Sequence, residues 1–377
     1  MSSLRSLVVV HEPPLSEGRA SGRCVIGMLR GLRARGVDVH VLAARQSFAV
    51  PGDPPADLAV EVVDVPPEPG DWAMRMRRLR RPVGELARSE FAHRVREAAR
   101  AADVLHLEEV ETAWLNDGVA VPALLRLQYL IRRDRDLGAP WRRSFRHVLE
   151  FELAERAAIR RHDSFIPASP RVADEIRRRR PDAQVQLVPL CLDPADYPPA
   201  ALDGPPTAGI IGTAGWPITA AAMRRLVFEV WPEVRKLAPE ARLVVAGRGT
   251  KMLGLDGTGV EVVGEVSSAV AFLRGLSVLL YPLARGSGVK VKTLESIACG
   301  LPVVTTALGA EGVEGGAGVV IETESRALAA AAAAILNDPD ERRSRGAAAR
   351  AAFEKRYSPL AATEPLVELY RILAERR

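Results

Sequence analysis

The sequence has few cysteines, few aromatic residues and no long apolar run. Its three cysteines, Cys24, Cys191 and Cys299, lie far apart and lack metal-ligand spacing, which argues against a disulfide framework or a zinc site. No stretch reaches the roughly 18 apolar residues that a membrane-spanning helix needs, so we expect a cytoplasmic protein. Aromatic residues make up 5% of the chain and do not alternate with arginine as base-stacking surfaces do, so nucleic-acid binding is not expected.

Lysine is also scarce, since 5 lysines stand against 47 arginines in a chain of formal net charge +5. The arginine excess is most simply a base-composition bias of the source genome, so a single arginine is weak evidence of function. Two basic runs occur, Arg75–Arg81 and Arg177–Arg180. The first, next to Trp72 and Met74, has two interpretations: a solvated helix, or a peripheral surface that contacts anionic lipid at the inner face of a membrane. A lysine is more informative, and Lys290 and Lys292 are two of the five.

The order of apolar and helical segments predicts an α/β fold with doubly wound parallel sheets. Short apolar runs alternate with helical stretches in both halves, which is typical of parallel strands joined by crossover helices. A chain of 377 residues exceeds the size of one hydrophobic core. The proline-rich segment 189–206 has no hydrophobic period and fits a linker, so we place one domain at 1–200 and a second at 201–355. The strands predicted in the first domain include 7–10, 37–43, 104–107, 123–127 and 164–167.

The loops that follow strands are the most informative about ligand binding, because open α/β sheets bind ligands at the carboxyl ends of their strands. In the segment 281–306, a glycine loop at Gly286–Gly288 is followed by Lys290, still in the loop, and by a helix that carries Lys292 and Glu295. Glycine N–H groups, a helix N-terminus and lysines are the groups that hold a pyrophosphate. Glu295 could accept hydrogen bonds from a ribose, or simply pair with Lys292 one turn earlier.

Two further glycine-containing loops are less specific. Gly18 and Gly22 lie in a long loop after the first predicted strand, where they either let the backbone approach a ligand or belong to an ordinary surface loop. The loop Gly209–Gly215 opens the second domain in the same way. Its spacing is not the G-x-G-x-x-G of dinucleotide-binding proteins, which weakens the hypothesis of an NAD-dependent oxidoreductase.

The run GSGVKVKTLESIACGLPVVTT at 286–306 resembles the nucleotide-sugar motif of GT-B glycosyltransferases, and most of all that of the retaining GT4 family. Weaker similarity extends over nearly the whole chain, through landmarks at 32–42, 102–108, 209–217, 242–249 and 262–266. The resemblance implies two Rossmann-like domains that face each other across a cleft, with the acceptor on the N-terminal domain and the nucleotide sugar on the C-terminal domain. It also implies that the C-terminal helix, 356–377, packs back on the N-terminal domain.

The resemblance assigns roles residue by residue on the donor side. Glu295 matches the second glutamate of the family's paired-glutamate motif, which binds the nucleotide ribose, whereas Ser287 stands where the first glutamate would be. The glycine loop with its lysines is therefore expected to take over the missing contacts. The implied contacts to the nucleotide sugar come from Glu295, Gly286, Gly288, Val289, Thr213, Arg248, Gly264, Glu265 and Val266.

On the acceptor side the resemblance is weaker. The family often has a His-Asn pair where this chain has Gln128-Tyr129, so either the acceptor is unusual or His106 or His11 supplies the imidazole. Glu108, together with Glu109 and Glu111, follows a predicted strand; this acidic cluster either meets a hydroxyl-bearing or cationic acceptor or is a solvated loop. The candidate acceptor-side residues are Gly18, Gly22, Glu108 and Gln128, and the candidate catalytic residues are Lys290, Lys292, Ser287 and His106.

The expected activity is transfer of a hexose-type sugar from a nucleoside-diphosphate sugar to a hydroxyl or amine of a small-molecule, glycan or lipid-linked acceptor, with retention as the resemblance implies. The main chemical demand is to stabilise charge on the leaving diphosphate. We expect Lys290 to do this, with Lys292 paired to Glu295. No paired carboxylates follow a strand in an Asp-x-Asp pattern, so no metal and no other cofactor is expected. The alternatives are a sugar-nucleotide epimerase, a pseudo-glycosyltransferase, or a catalytically weak nucleotide-sugar binding protein.

Overall fold

The computed structural model describes residues 4–47, 49–68, 78, 80–141 and 143–376. The chain forms two compact units. The first contains Met1–Leu192 together with Pro359–Arg377, and the second contains Asp193–Ser358. The chain thus passes into the second unit after residue 192 rather than at the expected residue 200, and it returns to the first unit at residue 359 rather than 356.

The first unit is built on a parallel sheet that, within the described residues, has seven strands in the order β3-β2-β1-β4-β5-β6-β7. Its strands are β1 Arg5–Val10, β2 Asp38–Gln46, β3 Val60–Val65, β4 Val104–Glu108, β5 Ala123–Arg126, β6 Ser164–Phe165 and β7 Gln184–Val185. Its helices are α1 Ala20–Ala34, α2 Glu90–Ala99, α3 Ile131–Asp134, α4 Arg143–Arg161, α5 Pro170–Arg179 and, from the end of the chain, α12 Pro359–Ala374. The central strand β1 is buried from Ser6 to Val10, because helices cover both faces of a doubly wound sheet.

The C-terminal helix α12 packs closely against α1. A Cβ atom placed on Gly31 of α1 would lie 2.3 Å from the carbonyl oxygen of Pro359, so this crossing requires glycine. Leu366, Tyr370 and Leu373 of α12 are buried in the same apolar core as residues of β1 and β2. Helix α12 is therefore a structural part of the first unit.

The second unit is built on a second parallel sheet, whose order through its six strands, all among the described residues, is β10-β9-β8-β11-β12-β13. Its strands are β8 Thr207–Ile211, β9 Arg242–Ala246, β10 Val260–Gly264, β11 Val278–Tyr281, β12 Val303–Thr305 and β13 Val319–Ile321. Its helices are α6 Pro217–Arg225, α7 Trp231–Leu237, α8 Ala269–Arg274, α9 Val291–Ala298, α10 Ser325–Asn337 and α11 Pro339–Arg356. The prediction of an α/β fold with two doubly wound parallel sheets is confirmed.

Of the two basic runs, only 177–180 is fully described, and its arginines are paired with acidic side chains. Most of the run 75–81 lies outside the described residues. In the other run, Arg178 and Arg179 both contact Glu175, and Arg180 contacts Asp182 at 2.9 Å. No helix of the described residues is both long and apolar enough to cross a lipid bilayer.

Candidate functional site

A glycine loop and a helix N-terminus lie together at the carboxyl end of β11 in the second unit. β11 ends at Tyr281 and α9 begins at Val291, directly after Lys290. Gly286 and Gly288 have φ values of 132° and 73°, which side chains other than glycine rarely adopt. The loop therefore brings its backbone close to the first turn of α9, as the sequence predicts.

Lys290 is buried, and its ammonium group is turned back into this loop. Its Nζ donates hydrogen bonds to the carbonyl oxygens of Ser287, at 2.5 Å, and Gly288, at 2.8 Å. These bonds hold the loop in its tight conformation. From the sequence we expect Lys290 rather than Lys292 to turn towards a bound anion. This expectation does not fit the geometry, because the Lys290 ammonium group points into the loop and donates to two of its carbonyl oxygens.

Lys292 is the lysine whose ammonium group remains available. Its Nζ lies 4.6 Å from the ring centroid of Tyr281, and a Cβ atom built on Gly212 would lie 2.6 Å from it. Among the described residues, Lys292 Nζ makes no hydrogen bond or ion pair. Burial lowers the pKa of this ammonium group to about 8, and the nearby charge of Lys290 acts in the same direction, while Glu295 opposes it. A cation in this position is stabilised by a bound anion.

Glu295 lies in α9 and is only 3% exposed. Its Oε1 accepts a hydrogen bond of 3.0 Å from the hydroxyl of Tyr197. Tyr197 belongs to the segment that the sequence marked only as a linker, so this partner was missed. A tyrosine in a proline-rich stretch has no periodic or motif signal that would have identified it.

The other donor-side candidates follow the ends of neighbouring strands in the same sheet. Thr213 follows β8, Arg248 follows β9, and Glu265 and Val266 follow β10. Because parallel strands present their carboxyl ends at one edge, the structure places these residues on the same edge as the glycine loop. Arg248 and Glu265 form an exposed ion pair at 3.0 Å. Ser287 is buried within the glycine loop, and Val289 is half-buried.

In the first unit, His106 lies within β4 and is fully buried. Its Nδ1 shares a short hydrogen bond with the hydroxyl of Tyr370 on α12, and its Nε2 lies 2.8 Å from Oε1 of Glu108. Arg126 Nε donates to the same carboxylate oxygen at 2.9 Å. The catalytic role expected for His106 and the acceptor-side role expected for Glu108 therefore do not fit the structure, because both side chains belong to an interior ion-pair network.

The protonation states of this network follow from its charges. Burial alone would raise the pKa of the Glu108 carboxyl, but the Arg126 charge and the His106 contact outweigh it and hold the pKa at about 2. Burial lowers the pKa of His106, against the effect of Glu108. At neutral pH the network thus contains an ionised Glu108, a charged Arg126 and a neutral imidazole.

His11, by contrast, comes together with Glu109 and Glu111. The ligand-capable atoms of the three side chains lie within 4.8 Å of one another. His11 and Glu111 line a cavity of about 740 Å³, which is further bounded by Tyr129 and Phe151. Both carboxylates are half-buried, so the interpretation of a solvated acidic loop does not fit. Of the two histidines considered, His11 is the one that reaches a cavity.

Burial and neighbouring charges shift the pKa values of Glu109 and His11. Burial raises the pKa of Glu109 to about 8, with Glu111 and Glu108 acting in the same direction and His11 against it. For His11, burial lowers the pKa but the carboxylates of Glu111 and Glu109 raise it overall. The three groups therefore lie close enough to shift the protonation of Glu109 and His11.

The remaining acceptor-side candidates do not meet at this cavity. A Cβ atom built on Gly18 would lie 2.8 Å from Cβ of Leu15, and a Cβ atom built on Gly22 would lie 3.2 Å from the backbone nitrogen of Leu15. The two glycines thus allow their loop to fold on itself around Leu15. Gln128 is half-buried beside Glu108 and Arg126, where only about 10 Å³ of free volume remains.

Comparisons with known proteins agree with this architecture. Residues 20–191 match the family described as glycosyl transferase 4-like domain, and residues 205–338 match the family described as glycosyl transferases group 1. No curated protein sequence is significantly similar to this chain.

Among solved structures, the chain is similar to sucrose-phosphate synthase from Thermosynechococcus elongatus, with 17% identity, complete coverage of both chains and a TM-score of 0.72. It is similar to HepE from Anabaena, solved with UDP and glucose, with 13% identity, coverage of 97% and 99%, and a TM-score of 0.66. It is also similar to WaaG, a glycosyltransferase involved in lipopolysaccharide biosynthesis, with 16% identity, coverage of 98% and 99%, and a TM-score of 0.62. At these identities the likeness shows a shared fold. With the two family matches, which together span residues 20–191 and 205–338, and the pair of parallel-sheet units, it follows that the chain is a GT-B glycosyltransferase.

Proposed function

We propose that this glycosyltransferase transfers a hexose-type sugar from a nucleoside-diphosphate sugar to a hydroxyl or amine of its acceptor, with retention and without a metal ion at the diphosphate. The observation that carries the proposal is the ammonium group of Lys292, which has no anionic partner among the described residues and lies beside Gly212 at the carboxyl edge of the second sheet. Retention is supported by the resemblance to a retaining family.

The diphosphate is the leaving group, and negative charge builds up on it as the bond to the sugar breaks. Lys292 supplies a fixed positive charge in a water-poor position, where it stabilises that charge more than it would in water. The N-terminus of α9 and the glycine loop add backbone N–H groups. Lys290 supports this arrangement indirectly by holding the loop carbonyls of Ser287 and Gly288.

Glu295 is proposed to accept hydrogen bonds from the ribose of the nucleotide. Tyr197 occupies Oε1 and thereby fixes the orientation of the carboxylate. Charge-assisted hydrogen bonds of this kind are stronger than those between neutral groups. The role is supported by the position of Glu295 in the motif and by its location on the same helix as Lys292.

The identity of the donor is supported by the structural neighbours. HepE was solved in complex with UDP-glucose, and TarM from S. aureus was solved with UDP. A uridine diphosphate sugar is therefore the first donor to test. On the acceptor side, the cavity that contains His11 and Glu111 has room for a sugar-sized group and offers polar side chains for hydroxyl recognition.

A turnover assay with a panel of UDP-, GDP- and dTDP-sugars tests the proposal. Release of nucleoside diphosphate that depends on an added acceptor supports it. Interconversion of the donor sugar without release would instead indicate an epimerase. Binding without turnover of any donor would indicate a catalytically weak nucleotide-sugar binding protein. This is the second candidate function, because Ser287 stands where the family has a glutamate.

A further inference from the structure

The His11–Glu109–Glu111 cluster combines residues from the ends of two adjacent strands. His11 directly follows β1, whereas Glu109 and Glu111 follow β4, and the two strands are paired in parallel from Ser6 to Val9. The parallel register brings their carboxyl ends to the same edge of the sheet. His11 precedes Glu109 and Glu111 by about 100 residues in the sequence, so no short motif joins the three.

Polar groups of His11 and Glu111 lack hydrogen-bond partners among the described residues. His11 is only 9% exposed, and its ring makes no hydrogen bond to any described residue. Oε2 of Glu111 is also buried and lacks a partner within the described part of the chain. An exposed histidine such as His40, which lies 3.2 Å from Glu61, needs no further ligand because water solvates it. Buried polar atoms, in contrast, carry a cost unless a partner reaches them.

We propose that His11, Glu109 and Glu111 bind a divalent transition-metal cation of the Zn²⁺ or Mn²⁺ type. One imidazole nitrogen and two carboxylate oxygens form a ligand set that such ions accept, whereas Mg²⁺ and Ca²⁺ prefer oxygen alone. The ligand atoms lie within 4.8 Å of one another. Ligands at about 2.0–2.2 Å from one ion lie roughly 3–4 Å apart, so small side-chain rotations bring these atoms into coordination.

Charge also favours a cation at this position. The nearby carboxylate of Glu12 is paired with Arg19 at 3.3 Å, which leaves Glu109 and Glu111 as the carboxylates next to the imidazole. A bound cation favours the ionised form of a carboxylate. A divalent ion offsets the repulsion between two half-buried carboxylates at short range.

Such an ion would have coordination positions that the three protein ligands do not fill. His11 and Glu111 line the 740 Å³ cavity, so coordination positions not filled by protein face that cavity. A water molecule or an oxygen of a bound ligand can occupy them, as in metal sites with three protein ligands. The proposed ligands of this ion belong to the first unit, whereas Lys292 and Glu295, the proposed partners of the nucleotide sugar, belong to the second. The inference therefore does not rest on the proposed transfer reaction.

The test is a metal titration of the chelator-treated full chain. Calorimetry with ZnCl₂, and Mn²⁺ electron paramagnetic resonance, should show one equivalent bound, and Co²⁺ should give visible absorption bands that report the imidazole ligand. Glu111→Gln and His11→Asn should each weaken binding at least tenfold. His40→Asn, which removes an exposed histidine beside a glutamate, is the matched control and should bind like the parent.

Folding of the variants is checked separately, so that loss of metal binding can be distinguished from loss of the folded state. Glu111→Gln preserves side-chain volume, and its thermal unfolding should match the parent without metal. Absence of binding up to millimolar Zn²⁺ and Mn²⁺ in the folded parent would overturn the proposal. So would a bound equivalent that survives both His11→Asn and Glu111→Gln, or a cavity that binds an alkylammonium ion in place of the metals.

Discussion

The hydroxyl of Tyr197 donates a hydrogen bond of 3.0 Å to Oε1 of Glu295. Both side chains are almost fully buried, with exposures of 1% and 3%. A hydrogen bond to one oxygen of a buried carboxylate restricts the rotation of the whole group and so fixes its orientation. Tyr197 therefore acts as a positioning residue for the proposed ribose contact.

We expect Glu295→Ala to weaken nucleoside diphosphate binding by about 1.5–3 kcal/mol, because charge-assisted hydrogen bonds to the ribose are lost. Tyr197→Phe should have a smaller effect on affinity, because the carboxylate remains but is less well oriented. Calorimetric titration with UDP measures both. Glu261→Ala, at an exposed position of β10, is the control. Unchanged affinity in Glu295→Ala would remove Glu295 from the binding site.

The two lysines should respond differently to replacement by methionine. Lys292→Met should lower kcat by about a hundredfold or more, the scale for losing a preorganised donor to transition-state charge. It should also raise Tm at pH 7, since it removes a buried ammonium group whose burial costs about 1–3 kcal/mol. Lys290→Met should instead lower Tm, because two buried loop carbonyls lose their donor. Single-turnover rates and thermal unfolding of both variants decide between these roles, and equal small losses of rate would contradict the assignment.

Donor binding should weaken as pH rises through about 8. Burial lowers the pKa of Lys292 to about this value, so the free protein carries the charge below it and loses the charge above it. A bound diphosphate favours the charged form, so affinity should fall by up to tenfold per pH unit on the alkaline side. UDP titrations between pH 6.5 and 9.5 measure the slope. In Lys292→Met the slope should disappear; the same slope in both proteins would point to another group.

Chelation should leave nucleotide affinity unchanged. The groups proposed to face the diphosphate are an ammonium group and backbone N–H groups, and none of them requires a metal. UDP affinity measured with and without EDTA should therefore agree within error. A loss in EDTA that Mg²⁺ or Mn²⁺ restores would show that a metal neutralises the diphosphate.

Tyr370→Phe should destabilise the first unit while sparing nucleotide binding. The substitution removes the hydroxyl that shares a hydrogen bond with buried His106, so the imidazole loses a partner inside the β4 network. The expected cost is about 1–3 kcal/mol. Thermal unfolding and a parallel UDP titration provide the two readouts. A reduced UDP affinity at unchanged Tm would mean that this network serves the nucleotide site.

The sequence predicts the two parallel sheets and the tight glycine loop at 286–288, because both depend on local patterns. Buried parallel strands are continuous apolar runs, and the loop 286–288 has the glycines that its backbone angles need. The strand Val60–Val65 was not predicted, since its polar positions Glu61 and Asp64 interrupt the apolar run at an edge of the sheet.

Side-chain partnerships were harder to predict, because they join residues that are distant in sequence. Nothing local indicates that Lys290 bonds to its own loop or that His106 contacts Tyr370, 264 residues later. The same holds for His11 and Glu111, which meet only because β1 pairs with β4. Residue type and strand position were sufficient to select the candidates, but the three-dimensional register decided which of them are buried partners and which face a cavity.

The placement of α12 in the first unit also affects how the chain can be made and cut. The first unit receives its last helix only after the whole second unit, Asp193–Ser358, has been synthesised. While a nascent chain has not yet reached residue 359, the apolar surface that Leu366 and Tyr370 cover in the folded unit is therefore exposed. A fragment cut after residue 192 lacks the same helix, whereas joining residue 192 to residue 359 through a short linker would restore it. The second unit is thus an insertion within the first, and expression of the first unit alone requires that both of its segments be present.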